Sequence, residues 1–361
     1  MSVQERPSVY FTDRGDASFI LGDAAMLSAF TTVRRYSFRA GKWSLFWELF
    51  RAFFRSIREI PQSDLVVCQF GGWNSWVPLL TARLFRKPSV LVVHGTDCVS
   101  LPSIGYGNFR KWPLNAITRS CFRSATRILP VHESLVLSCT DYATGSMTEQ
   151  GIRVHCPGLG TPITVLHHGF DAARWTSEEG IERSGILTVA TGLGSASTRA
   201  LKGVDLIIAC AKAFPELRFT VVGLDRSHVE DLPENVAAVR VMPQEELLQL
   251  YRQARFYLQL SMSEGFGCAL AEAMLCGCVP VVSNAGSLPD IIGDTGYVLM
   301  RRDANDLADL LRGALDRPAG SMSARARARI VERFPLVGRA EGWRRVVEDL
   351  LDGPRLTRTN A

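Results

Sequence analysis

The stretch RFYLQLSMSEGFGCALAEAM, Arg255 to Met274, changes character twice. Arg255 to Leu260 is rich in aromatic and apolar residues, as a buried strand requires, Ser261 to Gly267 is a polar turn bearing glycines, and from Cys268 the apolar residues recur at helical spacing. Strand, loop and helix in that order are the unit of a parallel sheet with crossover helices. A helix start preceded by glycines presents free backbone N–H groups and the positive end of the helix dipole, which together suit a phosphate or diphosphate. Glu264 stands in the loop and Glu272 on the first turns of the helix. Carboxylates make poor phosphate ligands but good acceptors for the vicinal hydroxyls of sugars. The combination predicts a sugar nucleotide site. Taken alone, the pair fits equally a solvated loop glutamate and a second one favoured by the helix dipole.

The next 25 or so residues of the chain narrow the choice. Met274 to Gly277 ends the helix on a glycine, Val279 to Ser283 reads as a short buried strand, Asn284 to Asp290 makes a loop and a new helix start, and Gly296 to Leu299 is a further apolar strand. As a unit, this block resembles the donor-binding core of the GT-B fold retaining glycosyltransferases of the GT4 type. The family pattern runs E-G-F-G, E-A-M, a glycine before P-V-V, then P-E or P-D, and a glycine before an apolar strand. The resemblance implies a nucleotide diphosphate sugar as donor, a saccharide or lipid-linked acceptor, and transfer with retention. It implies no metal and no cofactor, in a bacterial cell-surface polysaccharide or lipopolysaccharide pathway. It assigns Glu264 to the donor sugar's hydroxyls and Glu272 to the ribose, with Gly265, Phe266, Gly267 and Cys268 around the diphosphate.

The rest of the chain agrees in kind. At 361 residues it is long for one core, and its 47% hydrophobic and 21% charged content is that of a folded globular protein. Short apolar runs alternate with helical patterns throughout, predicting an α/β protein of two doubly wound, Rossmann-like domains with a cleft between them. The expected strands are Val9–Thr12, Leu65–Phe70, Ser89–His94, Arg127–Val131 and Ile163–His167, then Ile186–Thr191, Arg218–Gly223, Ala237–Val241, Phe256–Leu260 and Val279–Ser283. The polar, aperiodic run near Trp175 to Gly180 divides a first domain, 1–172, from a second, 173–336. The resemblance implies that a C-terminal helix, 337–361, packs back on the first domain. In such sheets the ligand belongs at the carboxyl ends of the strands.

Thr191-Gly192-Leu193-Gly194-Ser195, with Arg199 and Lys202-Gly203-Val204-Asp205 after it, follows a strand and precedes a helix. Arg supplies a planar fork and Lys a point charge, both suited to a diphosphate. Lys202 matches the family's K-G-x-D turn, whereas Arg199 is displaced from the family's position for its arginine. His94 ends an apolar strand and matches the histidine that the family places near the transferred sugar; the ordinary alternative is a histidine that only caps backbone. Asp97 reads either as an acceptor contact or as a helix N-cap. Gly71 and Gly72 allow close backbone approach and Trp73 suits a sugar face, or Ser75 is an N-cap beside a buried Trp. Met242 begins the segment that in the family wraps the nucleotide base, and His167 to Asp171 resembles the family's interdomain linker. Adjacent His167 and His168 point to different sides, so no metal pair is expected there.

A net charge of +5 suits an anionic partner without specifying nucleic acid, and no finger, aromatic RNA-binding signature or basic tail is visible. No apolar stretch is long enough to span a bilayer. Met1 to Pro7 lacks a signal pattern and the nine irregularly spaced cysteines fit reduced thiols, so a cytoplasmic protein is expected. Lys42 to Arg58 places Trp43, Phe46, Trp47, Phe50, Phe54 and Ile57 on one helical face, opposite Glu48, Arg51, Arg55 and Arg58. It reads either as a core helix or as an interfacial helix that docks on an anionic membrane surface, which would make the protein peripheral on the inner face of the plasma membrane. Two other functions share the fold: a sugar nucleotide epimerase, disfavoured by the Glu264 to Glu272 block, and a non-catalytic GT-B partner, disfavoured by the presence of Glu264, Lys202 and His94.

Overall fold

The structure is a computed structural model that describes residues 6–41, 44–178 and 180–352. The first sheet holds β1 (Ser8–Asp13), β2 (Thr32–Ser37), β3 (Leu65–Gln69), β4 (Ser89–Val93) and β5 (Arg127–Pro130), all parallel, in the order β2-β1-β3-β4-β5. Beyond it lies a short antiparallel hairpin, β6 (Ser138–Thr140) with β7 (Thr148–Gln150). The second sheet holds β8 (Ser184–Val189), β9 (Phe219–Val222), β10 (Val236–Val239), β11 (Ala254–Gln259), β12 (Val279–Ser283) and β13 (Tyr297–Leu299), again parallel, in the order β10-β9-β8-β11-β12-β13. Each order reverses once, between β1 and β3 in the first sheet and between β8 and β11 in the second. Crossovers leaving such a pair run to opposite faces of the sheet and open a crevice at its carboxyl edge.

Two segments differ from the expectation. Ile163 to His167 lies beside β5, with Thr164 N donating to Ile128 O and Leu166 N to Pro130 O, but only the Ile128–Ile163 bridge is regular. β2 was not expected: Thr32-Val33-Arg34-Arg35-Tyr36-Ser37 lacks the apolar run of a central strand because it is an edge strand, half in solvent.

The helices that matter for the site are α1 (Ser18–Ser28), α2 (Leu45–Glu59), α3 (Trp73–Leu84), α4 (Ala196–Leu201), α5 (Val204–Ala211), α6 (Gln244–Gln253), α7 (Cys268–Leu275), α8 (Leu288–Ile292), α9 (Gly320–Arg333) and α10 (Leu336–Asp352). The chain crosses between the sheets twice, side by side: Phe170 N donates to Phe334 O at 2.9 Å and Leu336 N to Phe170 O at 3.0 Å. After the second crossing α10 lies on α1. Arg339 and Trp343 of α10 both bond Asp23 of α1, and all three are buried.

The α2 face decides against the core reading. Phe46, Trp47 and Phe54 are 72%, 65% and 55% exposed, and Phe50 and Phe53 are exposed with them. The buried residues of α2 are Glu48, Ala52 and Ser56. Glu48 is tolerated inside because Oε1 accepts from Tyr36 Oη at 2.8 Å and Oε2 from Arg51. Lys42 and Trp43 lie outside the described residues. Among the described residues no helix is long and apolar enough to cross a membrane.

Candidate active site

Lys202 sits between α4 and α5, and Glu264 in the loop after β11. Gly203 has φ +71, and a Cβ there would collide with the Leu260 carbonyl, so the turn carrying Lys202 is pressed onto the end of β11. The result is an ion pair at the reversal point of the second sheet: Lys202 Nζ lies 3.0 Å from Glu264 Oε2. The same oxygen accepts from Gln259 Nε2 at 2.8 Å and Ser261 Oγ at 3.2 Å. Burial alone would push the Glu264 carboxyl up, but the Lys202 charge and the three donors hold it below the usual range. Lys202 is likewise kept charged: desolvation lowers its pKa, and the adjacent Glu264 more than reverses that.

Gly265 carries the loop across to the first domain. A Cβ at Gly265 would overlap the His94 carbonyl oxygen, so the two backbones touch there. Phe266 turns away from the loop. Its ring is buried among His168, Phe170 and Phe334, with centroids 5.3, 5.7 and 5.2 Å away, so any part it takes at the site is through its backbone. Gly267, at φ +89, is the N-cap of α7, and Cys268 is its first residue. Burial pushes the Cys268 thiol up, so it stays protonated. Glu272, one turn on, has little to hold it. Its only side-chain partner among the described residues is Tyr251 Oη at 3.4 Å, and burial pushes its carboxyl up to about 7.

Gly192 and Gly194 lie in an exposed loop whose end is capped by Ser195, which accepts from Thr198 N. Arg199 folds back on that loop and donates to Leu193 O at 3.1 Å. Met242 is half-buried just before α6.

His94 lies at the carboxyl end of β4, its Nε2 2.6 Å from Gln69 Oε1. Its ring packs on Phe70 at 4.3 Å, Phe19 at 4.8 Å and His168 at 5.5 Å. Burial lowers its pKa to about 3, so the imidazole is neutral. Phe70 itself has φ +65, a left-handed conformation that costs a non-glycine residue energy and often marks a site held by its surroundings.

The four acceptor-side candidates each make contacts within the first domain. Asp97 is buried, and its carboxylate accepts from the backbone N–H groups of Gly71 at 2.8 Å, Gly95 at 3.0 Å and His94 at 3.2 Å. No α-helix begins at Asp97, so the N-cap reading is replaced: it staples two strand-end loops together. Gly71 and Gly72 are buried under that staple, and Trp73 packs edge-on against Trp76. Gly72 is the N-cap of α3, whereas the Ser75 hydroxyl donates back to Phe70 O at 2.6 Å and caps nothing. The cavity that opens onto Glu264 is built from other residues: Val99, Leu101, Leu135 and Met262 with the hydroxyls of Ser138, Thr140 and Thr148. Thr140 Oγ1 reaches Asn284 O at 2.6 Å and ties the β6–β7 hairpin to the second domain.

Residues 193–333 match the family described as glycosyl transferases group 1. Over nearly its whole length the fold is that of sucrose-phosphate synthase from Thermosynechococcus elongatus: TM-score 0.73, 15% identity, covering 97% of this chain and 100% of that one. The chain thus has the GT-B fold, and its second half is similar to the group 1 glycosyl transferases. Glycogen synthase from Mycobacterium tuberculosis is 29% identical over 264 residues, 68% of this chain and 59% of that protein. A GDP-mannose:cellobiosyl-diphosphopolyprenol alpha-mannosyltransferase from Xanthomonas oryzae is 25% identical over 240 residues, 63% and 58%. The aligned part thus spans somewhat under two thirds of these relatives.

The two domains bring together residues that the sequence reading missed. Gln259 and Ser261 hold Glu264, and Gln69 holds His94. The signal was a glutamine closing each of two largely apolar strands, Leu65–Gln69 and Ala254–Gln259. His132, Glu133 and His167 also converge, their ligand atoms within 4.8 Å of one another. Hydrogen bonds account for that cluster: Glu133 Oε2 pairs with His167 at 2.9 Å, and His132 Nε2 pairs with Asp290 of α8 at 3.0 Å. Ser134 N donates to His132 Nδ1, which makes Nε2 the protonated nitrogen and unsuited to a metal.

Proposed function

We propose that this chain transfers a glycosyl unit, with retention and without a metal, from a UDP- or GDP-type nucleotide sugar to a saccharide or lipid-linked acceptor. The observation that carries the reading is the Lys202–Glu264 pair at the reversal point of the second sheet, beside the N-terminus of α7. All three side-chain donors to Glu264 fall on Oε2, which leaves Oε1 to receive sugar hydroxyls. Lys202 and the N–H groups opening α7 face the diphosphate, where negative charge grows as the bond from C1 to the phosphate oxygen breaks. The acceptor oxygen bonds C1 on the same face, and its proton passes to the departing phosphate oxygen. Glu272 receives the ribose hydroxyls. The test is a thermal shift series against uridine, guanosine and adenosine diphosphate sugars, followed by transfer assays on a glycan mixture. Stabilisation by one of these donors, lost in Glu264→Ala, is expected; no shift with any donor would sink the reading.

A lipid-linked acceptor and a peripheral membrane location belong to the same proposal. The named acceptor of the Xanthomonas relative, a diphosphopolyprenol, favours a cell-surface polysaccharide or lipopolysaccharide pathway. The rings of Phe46, Trp47, Phe50 and Phe54 run in edge contact along the exposed side of α2, with Arg51, Arg55 and Arg58 on the same helix. An exposed aromatic face flanked by arginines suits the boundary of an anionic bilayer. Flotation with vesicles that contain or lack anionic lipid tests it: binding should require the anionic lipid and weaken with salt.

A further inference from the structure

The histidine at the end of β4 is tied to the far C-terminus by an unbroken chain of buried hydrogen bonds. Arg339 donates from Nε to Asp23 Oδ1 at 2.6 Å and from Nη2 to Oδ2 at 2.7 Å, and Trp343 Nε1 adds a third donor to Oδ1 at 3.0 Å. Gln69 Nε2 donates to Asp23 Oδ2 at 3.0 Å. Gln69 Oε1 then meets His94 Nε2 at 2.6 Å. Asp23, Gln69 and Trp343 have no exposed surface, and Arg339 is 3% exposed.

Directionality along this chain leaves no choice. A bidentate arginine keeps Asp23 ionised, so both of its oxygens only accept. Gln69 must therefore present its NH2 group to Asp23, since the flipped amide would set one oxygen against another. Its carbonyl then faces His94, and a carbonyl cannot donate. The proton lies on His94 Nε2, and Nδ1 carries a lone pair. Nδ1 is buried and has no partner among the described residues. A buried acceptor without a donor is costly, and a hydroxyl that arrives with a ligand would supply the missing donor.

We propose that Gln69 and Asp23 are positioning residues that lock His94 as the Nε2–H tautomer, anchored by Arg339 and Trp343 of the returning helix. Nδ1 is thereby kept as a hydrogen-bond acceptor for a bound hydroxyl. That last role rests on the sugar nucleotide reading of the cleft; the tautomer does not. The returning helix is then part of the site although it touches no ligand.

The protein has six histidines, so long-range proton–nitrogen spectra of histidine-labelled full-length chain resolve each ring, with His94→Gln assigning the signal. The expected result in the free protein is one Nε2–H form of His94, unchanged between about pH 6 and 8. Asp23→Asn offers Gln69 an amide in place of a carboxylate and frees it to turn, so the His94 signal should move to the Nδ1–H form or to an average of the two. Gln69→Met, which keeps length and removes both bonds, should give the average. A wild-type Nδ1–H or averaged signal overturns the proposal, and so does a Gln69→Met spectrum identical to wild type. If neither variant folds, the wild-type spectrum alone decides. Nucleotide sugar added afterwards should shift Nδ1 and bind about fivefold more weakly to Gln69→Met. Failure of any nucleotide sugar to bind removes the functional reading and leaves the relay standing.

Discussion

Glu264 takes all three of its side-chain donors on one oxygen, and this asymmetry makes a half-buried ion pair a candidate site. A pair with both oxygens satisfied would be structural; here the second oxygen and the remaining N–H groups of Lys202 stay with the cleft. If Glu264 meets the donor sugar as proposed, Glu264→Ala is expected to lower transfer by about a hundredfold or more while leaving a folded protein. Steady-state kinetics with the donor found by thermal shift measures it. Glu272 gives a separate prediction with a definite sign. Burial moves its carboxyl from the ordinary 4.5 up to about 7, so between those values the unfolded chain releases its proton before the folded one does. The folded state therefore loses stability as pH rises through that window, by about 3 kcal/mol at most. Urea titrations at pH 5 and pH 7.5 should show this loss, and Glu272→Gln should lack it.

At the scale of elements, α2 is the instructive case. Its sequence has a strongly amphipathic pattern, and such a pattern ordinarily puts the aromatic side inward. The structure puts Ala52 and Ser56 inward and leaves the aromatics out. Periodicity records that a helix has two faces; which face meets the core depends on whether small residues are needed where it packs, and only the packed neighbours supply that. The consequence is measurable. Trp47→Ser with Phe50→Ser should change stability by no more than about 0.5 kcal/mol per site, as surface substitutions do, and should abolish flotation with anionic vesicles. A large loss of stability in urea would return α2 to the core. The strand β11 and its loop show the opposite situation. Glu264, Gly265 and Glu272 were legible because local chemistry, a strand running out into a glycine turn and a helix start, forces their placement. Gln259 and Gln69 were visible only as misfits in apolar strands, since what they hold lies on other elements.

For the whole molecule, the crossing at Phe170 and Pro335 and the Arg339–Asp23 pair make the C-terminal helix a fastener on the first domain. Breaking a buried pair on one side leaves an uncompensated charge, so Arg339→Met should cost about 3–5 kcal/mol in urea unfolding. Replacing both partners, with Asp23→Leu as the second change, should recover much of it. Recovery would separate the electrostatic loss from loss of packing around Trp343. The contact between Gly265 and the His94–Gly95 backbone, with the Thr140 to Asn284 bond across the cleft, brings the two sheets together over the site. The cavity beside Glu264 is a product of that closure.

The amino-acid sequence by itself determined the parallel α/β character of both halves, the strand, loop and helix that carry Glu264 and Glu272, and the turn that carries Lys202. Those follow from period, turn chemistry and charge over a few neighbouring residues. Only the tertiary structure decided that Lys202 and Glu264 form one pair, that Asp97 is consumed as a staple, and that the aromatic side of α2 faces out. It alone also joined His94 through Gln69 and Asp23 to the last helix. Each of these depends on contacts between segments far apart in the chain. Their distance and direction are set by how the sheets and helices pack, and no local pattern carries that information.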